Sequence, residues 1–334
     1  MNFIVGECTF LRYFIPLTIE GNSRGIQSNY FILSSGKYNC PVKHKSTILE
    51  LSKKYNFNVH DIRDVKSYEG ITFLIEGVGI NHLNDKHKKL SLTYTVDFVD
   101  LYNSYKDKAD YIIMPSKFMK DFYGYGNVDK VVPLGSPKYQ VELSPTDILP
   151  KYDLSQNEKY ALVVYPMLRD LSKVDMNLIY QCLRDKGYKV IVKARGKEKA
   201  KTHTGDHYFL DRSWHPHTTM ELAQISDIII NFGSTGNKEF VMLKRPMLNF
   251  DVQGGRQISI ALPFLHNYDY CINHSGNFFN KNKNHRDIIL KNIDYLANTN
   301  FDSEYEKSIN AHLKECRNAC ENIFSFIEKR GLLK

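Results

Sequence analysis

The segment Ser226–Asp251, SDIIINFGSTGNKEFVMLKRPMLNFD, gathers small, hydroxyl and acidic residues beside apolar runs. The apolar run ending at Asn231 reads as a buried strand, Gly233-Ser234-Thr235-Gly236 as a turn, and the residues after it as a helix. Small residues let a backbone approach a ligand closely. The free N–H groups at a helix start, with the hydroxyls of Ser234 and Thr235, suit a phosphate. Glu239 falls in the first helical turn, where a carboxylate can accept both hydroxyls of a ribose. Taken alone, the same pattern also describes an N-cap turn with an acid serving the helix dipole.

Further cations and one aromatic surround this turn. Lys193 and Arg195, in KARGK, follow a predicted strand and could clamp a diphosphate, arginine by bidentate contact. Lys199 and Lys201 continue the run, which also fits a solvated basic loop. Arg169 stands in VYPMLRD, at another predicted strand end. Trp214, the sole tryptophan, lies in DRSWHPHTT and could stack on a base. His215 and His217 belong to the same loop. Two histidines at i, i+2 without a third ligand type read as a polar loop, and no metal is expected.

In the first half the candidate general bases are carboxylates that follow predicted strands: Glu76 in IEGVG, Asp97 after Tyr94, and Glu7 after the first strand. Glu76 is preferred, because Gly77 and Gly79 would leave room for an acceptor beside it. No P-loop, HExxH, GxSxG or GxGxxG pattern is present.

The elements that must carry these residues alternate strand and helix. Strands are expected at 1–6, 28–33, 58–62, 71–75, 89–95, 111–114 and 130–133. Helices are expected at 10–21, at 46–55 with Ser46 as N-cap, and at 101–108, with Ser116 capping another. The stretch 135–156 holds three prolines and no periodicity, and reads as a linker. Alternation then resumes, with strands at 160–165, 189–193, 207–210, 227–231 and 246–250. Helices at 286–297 and 304–328 close the chain. This predicts an α/β protein of two doubly wound, Rossmann-like domains facing a central cleft. The expected segments are residues 1–140, 157–300 and a C-terminal helix over 301–334; the family resemblance given below implies an acceptor-side role for the first, nucleotide-donor binding for the second and a helix packing back towards the first.

Composition agrees with a folded protein: 334 residues, 42% hydrophobic and 25% charged, which excludes disorder and low complexity. No run of about 18 apolar residues suggests a transmembrane helix, and the N-terminus does not read as a signal peptide. Six scattered cysteines without a CxxC pair argue against structural zinc or a disulfide framework. Cys316 and Cys320, at i, i+4, read as packing on one helix. The expectation is a cytoplasmic protein. The net charge of +8 fits nucleic acid, an anionic membrane surface or phosphorylated substrates, and equally a basic solvated surface. Dispersed Lys and Arg with no recognition module make nucleic acid an unexpected partner.

The Ser226–Asp251 stretch resembles the donor-binding segment of the GT-B glycosyltransferase superfamily. It is similar to CDP-glycerol glycerophosphotransferases and to non-hydrolysing UDP-N-acetylglucosamine 2-epimerases, with Ser234 and Glu239 at the matching spacing. Val164–Asp170 resembles the glycerophosphotransferases' strand followed by Pro-Thr-aromatic-Arg-Asp, and Leu134–Lys138 the Gly-x-Pro element leaving the first domain. Two departures stand out. Lys193-Ala194-Arg195 occupies the place of the family's His-Pro, and the Trp-His-Gly-Thr acceptor motif is missing. The resemblance implies a metal-independent transferase moving a sugar or polyol-phosphate from a UDP-, CDP- or CMP-linked donor. No cofactor is implied. The acceptor would be a hydroxyl on a glycan or lipid-linked molecule, in cell-surface glycopolymer synthesis, with peripheral contact at the inner face of an anionic membrane. A nucleotide-sugar 2-epimerase is the alternative.

Overall fold

The computed structural model describes residues 1–34, 41–94, 102–194, 204–211, 213–234, 236–252, 264, 266–275, 277–281 and 284–333. These form two compact units, Met1–Val141 with Ala311–Lys334, and Glu142–Asn310.

The first unit is built on seven parallel strands: β1 (Asn2–Val5), β2 (Ser28–Ile32), β3 (Phe57–Asp61), β4 (Gly70–Ile75), β5 (His87–Leu92), β6 (Tyr111–Met114) and β7 (Val131–Pro133), in the order β3-β2-β1-β4-β5-β6-β7. Helices α1 (Leu11–Ser23), α2 (Lys45–Tyr55), α3 (Tyr102–Tyr105) and α4 (Lys117–Phe122) lie between strands. The central strands are apolar on both faces, as buried parallel strands must be. Phe3 of β1 stacks on Phe73 of β4 with ring centroids 5.3 Å apart, and also meets Phe14 of α1 at 5.0 Å. Ser116 does cap α4, accepting from the Met119 N–H at 3.2 Å. Ser46 does not cap α2. The 3-10 turn Pro41–His44 runs directly into that helix and places Ser46 inside it.

The C-terminal stretch is three pieces and not one helix: Asp302–His312, a 3-10 segment Lys314–Asn318, and Ala319–Lys329. The 3-10 segment is held by contacts from distant residues. The Glu315 carbonyl seats in the space that a side chain at Gly135 would fill, and the Cys316 thiol donates to the Pro115 carbonyl at 3.1 Å. Cys316 and Cys320 therefore do not share one continuous helix. Helix Ala319–Lys329 packs on α1, with Arg24 over the Phe324 ring at 4.8 Å and paired to Glu328 at 2.7 Å.

The second unit has six parallel strands: β8 (Lys159–Val164), β9 (Tyr188–Lys193), β10 (His207–Phe209), β11 (Ile228–Asn231), β12 (Met247–Phe250) and β13 (Cys271–His274), in the order β10-β9-β8-β11-β12-β13. Helices α5 (Pro145–Lys151), α6 (Met176–Asp185), α7 (Thr218–Gln224) and α8 (Asn237–Met242) connect or flank them, and helix His285–Asn298 packs on α6. Two features depart from the sequence reading. Strand β13 is too short and too polar to announce itself. The segment 135–156 contains α5, which is docked by a buried carboxylate: Glu221 of α7 accepts from the Lys151 ammonium at 2.6 and 2.8 Å and from the Tyr152 hydroxyl at 2.5 Å. Prolines at the start and end of α5 mask a helix that tertiary contacts support.

In each sheet the chain begins in the middle, winds outward to one edge, then returns to build the other side. That reversal falls between β1 and β4 in the first unit and between β8 and β11 in the second. Loops diverge there at the carboxyl ends of the strands, which leaves a crevice suited to a ligand. Among the described residues no helix is long and apolar enough to cross a membrane.

Candidate nucleotide and general-base sites

The turn after β11 lies at the reversal point of the second sheet. Gly233 adopts φ +70°, the left-handed conformation that a glycine takes without strain. The turn is pinned from below by three asparagines. Asn231, Asn249 and Asn273 are in register on β11, β12 and β13. The Asn231 amide donates to Asn249 at 2.8 Å, the Asn249 amide donates to Asn273 at 2.5 Å, and His266 lies 3.3 Å from the Asn273 amide. The Asn249 oxygen also accepts the Gly233 N–H at 3.0 Å, and the Asn231 oxygen accepts the Ser234 N–H at 3.2 Å. The Gly236 N–H goes to the Ser234 hydroxyl at 3.2 Å. The described amides of Gly233, Ser234 and Gly236 are thus occupied within the turn. The Ser234 hydroxyl and the Glu239 carboxylate also lie at this turn. Glu239 is buried in the first turn of α8, with one oxygen 3.2 Å from where a side-chain carbon on Gly236 would lie. Thr235 lies outside the described residues.

Lys193, the last residue of β9, pairs with Asp211 at 2.6 Å, and its side chain is only 7% exposed. Register explains the pairing: Phe209 of β10 aligns with Lys193, so the chain leaving β10 passes beside the lysine. His217 Nε2 is 3.5 Å from the same Asp211 oxygen. Burial raises the Asp211 carboxyl, but the hydrogen bond from His217 and the charge of Lys193 outweigh it and hold the group well below the usual carboxylate range. Trp214 is buried and forms an antiparallel bridge with His217. Arg195 lies outside the described residues.

Arg169 sits in a 3-10 segment, Leu168–Lys173, just past β8. Its guanidinium is about half exposed and 3.4 Å from the buried Asp170, whose other oxygen accepts from Lys173 at 2.9 Å. Lys173 also donates to the Val252 carbonyl at 2.7 Å, beyond β12. One buried carboxylate thereby orients two cations at the strand ends that flank β11.

In the first unit, Glu7 and Glu76 follow β1 and β4, the two strands of the reversal point. Glu7 accepts from the Thr9 hydroxyl at 3.2 Å, and Glu76 accepts the Tyr94 N–H at 3.2 Å. Glu76 itself has φ +47°, and Gly77 and Gly79 are left-handed at +68° and +82°. These glycines do not leave room for an acceptor. The Tyr105 side chain fills the space beside Gly77, and Ile4 fills that beside Gly79. Their purpose is backbone conformation and close packing, which the composition of the motif alone does not distinguish from an open pocket. Asp97 lies outside the described residues.

No family model matches the chain, and no curated protein matches it. Solved structures do. The chain is similar to a glycotransferase of kitacinnamycin, with a TM-score of 0.58 and 8% identity over 100% of this chain and 98% of that one. A variant of the wall teichoic acid polymerase TagF soaked with CDPG gives 0.62 and 13% over 98% and 88%. A protein of Listeria monocytogenes assigned as a UDP-N-acetylglucosamine 2-epimerase gives 0.61 and 10% over 98% and 95%.

This is a GT-B-like fold.

Within it, the sequence points to the turn of the second unit but not to what builds that turn. Asn249 and Asn273 hold the turn through bonds of their own, and Asp211 and Lys173 bond at other strand ends of the same sheet. A signal for Asn249 exists: III-N, ending at Asn231, and ML-N, ending at Asn249, each close an apolar run in asparagine, which is what neighbouring parallel strands in register would show. Among the described residues no group of three or more His, Cys, Asp or Glu could hold a metal ion.

Proposed function

We propose that this chain is a transferase that moves a sugar or polyol-phosphate from a nucleotide-activated donor to a hydroxyl acceptor in cell-surface glycopolymer synthesis. The observation that carries the reading is the turn at the β8/β11 reversal point, with Glu239 buried against Gly236 on a GT-B-like fold. In this reading Glu239 accepts the ribose hydroxyls. Ser234 bonds a phosphate oxygen, and Gly233 and Gly236 let the nucleotide approach. Arg169, oriented by Asp170, and Arg195 neutralise the departing phosphate or diphosphate. A carboxylate of the first unit, Glu76 before Glu7 or Asp97, takes the proton of the acceptor hydroxyl as its oxygen attacks. The bond from the transferred group to the nucleotide's phosphate oxygen breaks, and that oxygen leaves with the electron pair. The donor would be UDP-, CDP- or CMP-linked, and the acceptor a glycan or lipid-linked molecule met in the cytoplasm or at the inner membrane face.

Thermal-shift screening against UDP, CDP, CMP, GDP and ADP tests the first half of this reading, since a ligand of the native state raises its melting temperature. No shift with any of the five would refute it. The second reading, a nucleotide-sugar 2-epimerase, is favoured by the likeness to the Listeria protein. Incubation with UDP-N-acetylglucosamine alone separates the two, because an epimerase needs no acceptor.

A further inference from the structure

Helix α2 of the first unit, with the 3-10 turn before it, carries exposed lysines and aliphatic side chains that the proposed reaction does not use. We infer that this stripe seats the protein on an anionic lipid surface. Val42 and Leu49 enter the headgroup layer, and Lys43, Lys45, Lys53 and Lys54 meet the lipid phosphates. The inference needs no nucleotide site, so its failure and that of the transferase reading are separate results.

Three observations carry it. The first is exposure. Val42 is 50% exposed and Leu49 41%, and Ile19 of α1 is 47% exposed. Helix α1 adjoins α2, where the Asn22 amide donates to the Tyr55 carbonyl at 2.7 Å, and Ile19 lies about one turn before Asn22. Among the described residues five large apolar side chains are exposed, and three of them fall on this one layer. The second observation is spacing. Leu49 stands four residues from Lys45 and four from Lys53, so the three form one row along the helix, with Val42 three residues before Lys45. The buried Ile48 marks the other side of α2. The third is charge. Residues 41–55 carry four lysines, all exposed, against a single acid, Glu50. Lys54 lies over the half-buried Tyr55 ring at 5.1 Å. A protein partner fits this surface less well, because interface cores are depleted of lysine and gather aromatic residues. A bilayer suits it on both counts. Cations near an anionic leaflet are attracted to it, and the apolar side chains of a surface helix bury at the headgroup boundary. Lysine stems can lie along that apolar layer while their ammonium groups stay with the phosphates.

The test is flotation of the full chain, without nucleotide, with vesicles of phosphatidylcholine alone and of an equal mixture of phosphatidylcholine and phosphatidylglycerol, over a series of salt concentrations. The expected result is binding to the mixed vesicles only, weakening as salt rises. Lys45→Gln with Lys53→Gln should weaken the partition by about 25-fold, about fivefold for each cation. Leu49→Ser keeps every charge and should weaken it by about fivefold, through the apolar surface no longer buried. Lys291→Gln with Lys307→Gln, two exposed lysines of the second unit, makes the same change in net charge and should leave the partition as it was. All of these positions are exposed, and an unchanged urea midpoint checks that each variant is folded. Absence of binding to the mixed vesicles, equal binding to phosphatidylcholine alone, an equal loss in the second-unit pair, or full binding by Leu49→Ser each overturns the inference. So does a dimer in light scattering that Leu49→Ser turns into a monomer, since the stripe then serves a second copy of the chain.

Discussion

Replacing Asn249 with alanine tests whether the asparagine ladder builds the turn of the candidate nucleotide site. Asn249 is fully buried, and its oxygen accepts two bonds, from Gly233 N–H at 3.0 Å and from the Asn231 amide at 2.8 Å. Alanine supplies no acceptor, and both donors lie in the interior, out of reach of solvent. An unsatisfied buried donor costs about 1–3 kcal/mol, so two cost about 2–6 kcal/mol. Asn273→Ala, at the more open end of the ladder, removes one acceptor and should cost only about 1 kcal/mol. Urea unfolding followed by tryptophan fluorescence suits the comparison, because Trp214 reports on the second unit and is the chain's sole tryptophan. A lower midpoint at an unchanged slope reports lost stability. The pair Asn231→Ala and Asn249→Ala should be non-additive by about 0.5–3 kcal/mol, as residues sharing a hydrogen bond are. If Asn249→Ala costs no more than Asn273→Ala, or the cycle is additive, the ladder does not support the turn and the reasoning is wrong.

Glu239→Ala should weaken nucleotide binding by about 1–3 kcal/mol, the value of charge-assisted hydrogen bonds; unchanged affinity in calorimetry would remove the ribose assignment. Glu76→Gln should cut turnover by about 10²–10⁴-fold while leaving nucleotide affinity intact, and near-normal turnover would pass the role to Glu7 or Asp97. Gly77→Ala should destabilise the first unit by about 2 kcal/mol or more, since the new methyl meets Tyr105 and the backbone is left-handed; a wild-type denaturation midpoint would contradict the packing described. The carboxyl of Asp211 is held low in the folded state, so its contribution to stability is present above about pH 4 and lost as pH falls further. Acid titration of unfolding should therefore show a shallower fall for Asp211→Asn than for the unsubstituted chain, and parallel curves would argue against the ion pair.

The βαβ alternation, the apolar strand 228–231 and the turn with its trailing glutamate are local patterns. Periodicity and small-residue spacing express them directly, which is why the two α/β units and the neighbourhood of Ser234 and Glu239 are legible in the amino-acid sequence. The partners of those residues are another matter. Lys193 reads as a cation open to a ligand at a strand end, because Asp211 is eighteen positions away and only the alignment of β10 on β9 brings it to 2.6 Å. Gly77 and Gly79 read as open space, because what fills it comes from Tyr105 and Ile4, on other elements. Helix α5 reads as a linker, because its anchor Glu221 lies on α7. The 3-10 segment before Ala319 is not marked locally, and the residues it meets, Gly135 and Pro115, lie nearly two hundred positions earlier. Sequence determines what each segment tends to form and which chemistry it carries. Which charges are neutralised, which hollows are filled and which amides are already bonded depends on non-local contacts, and those exist only once strand order and register are set.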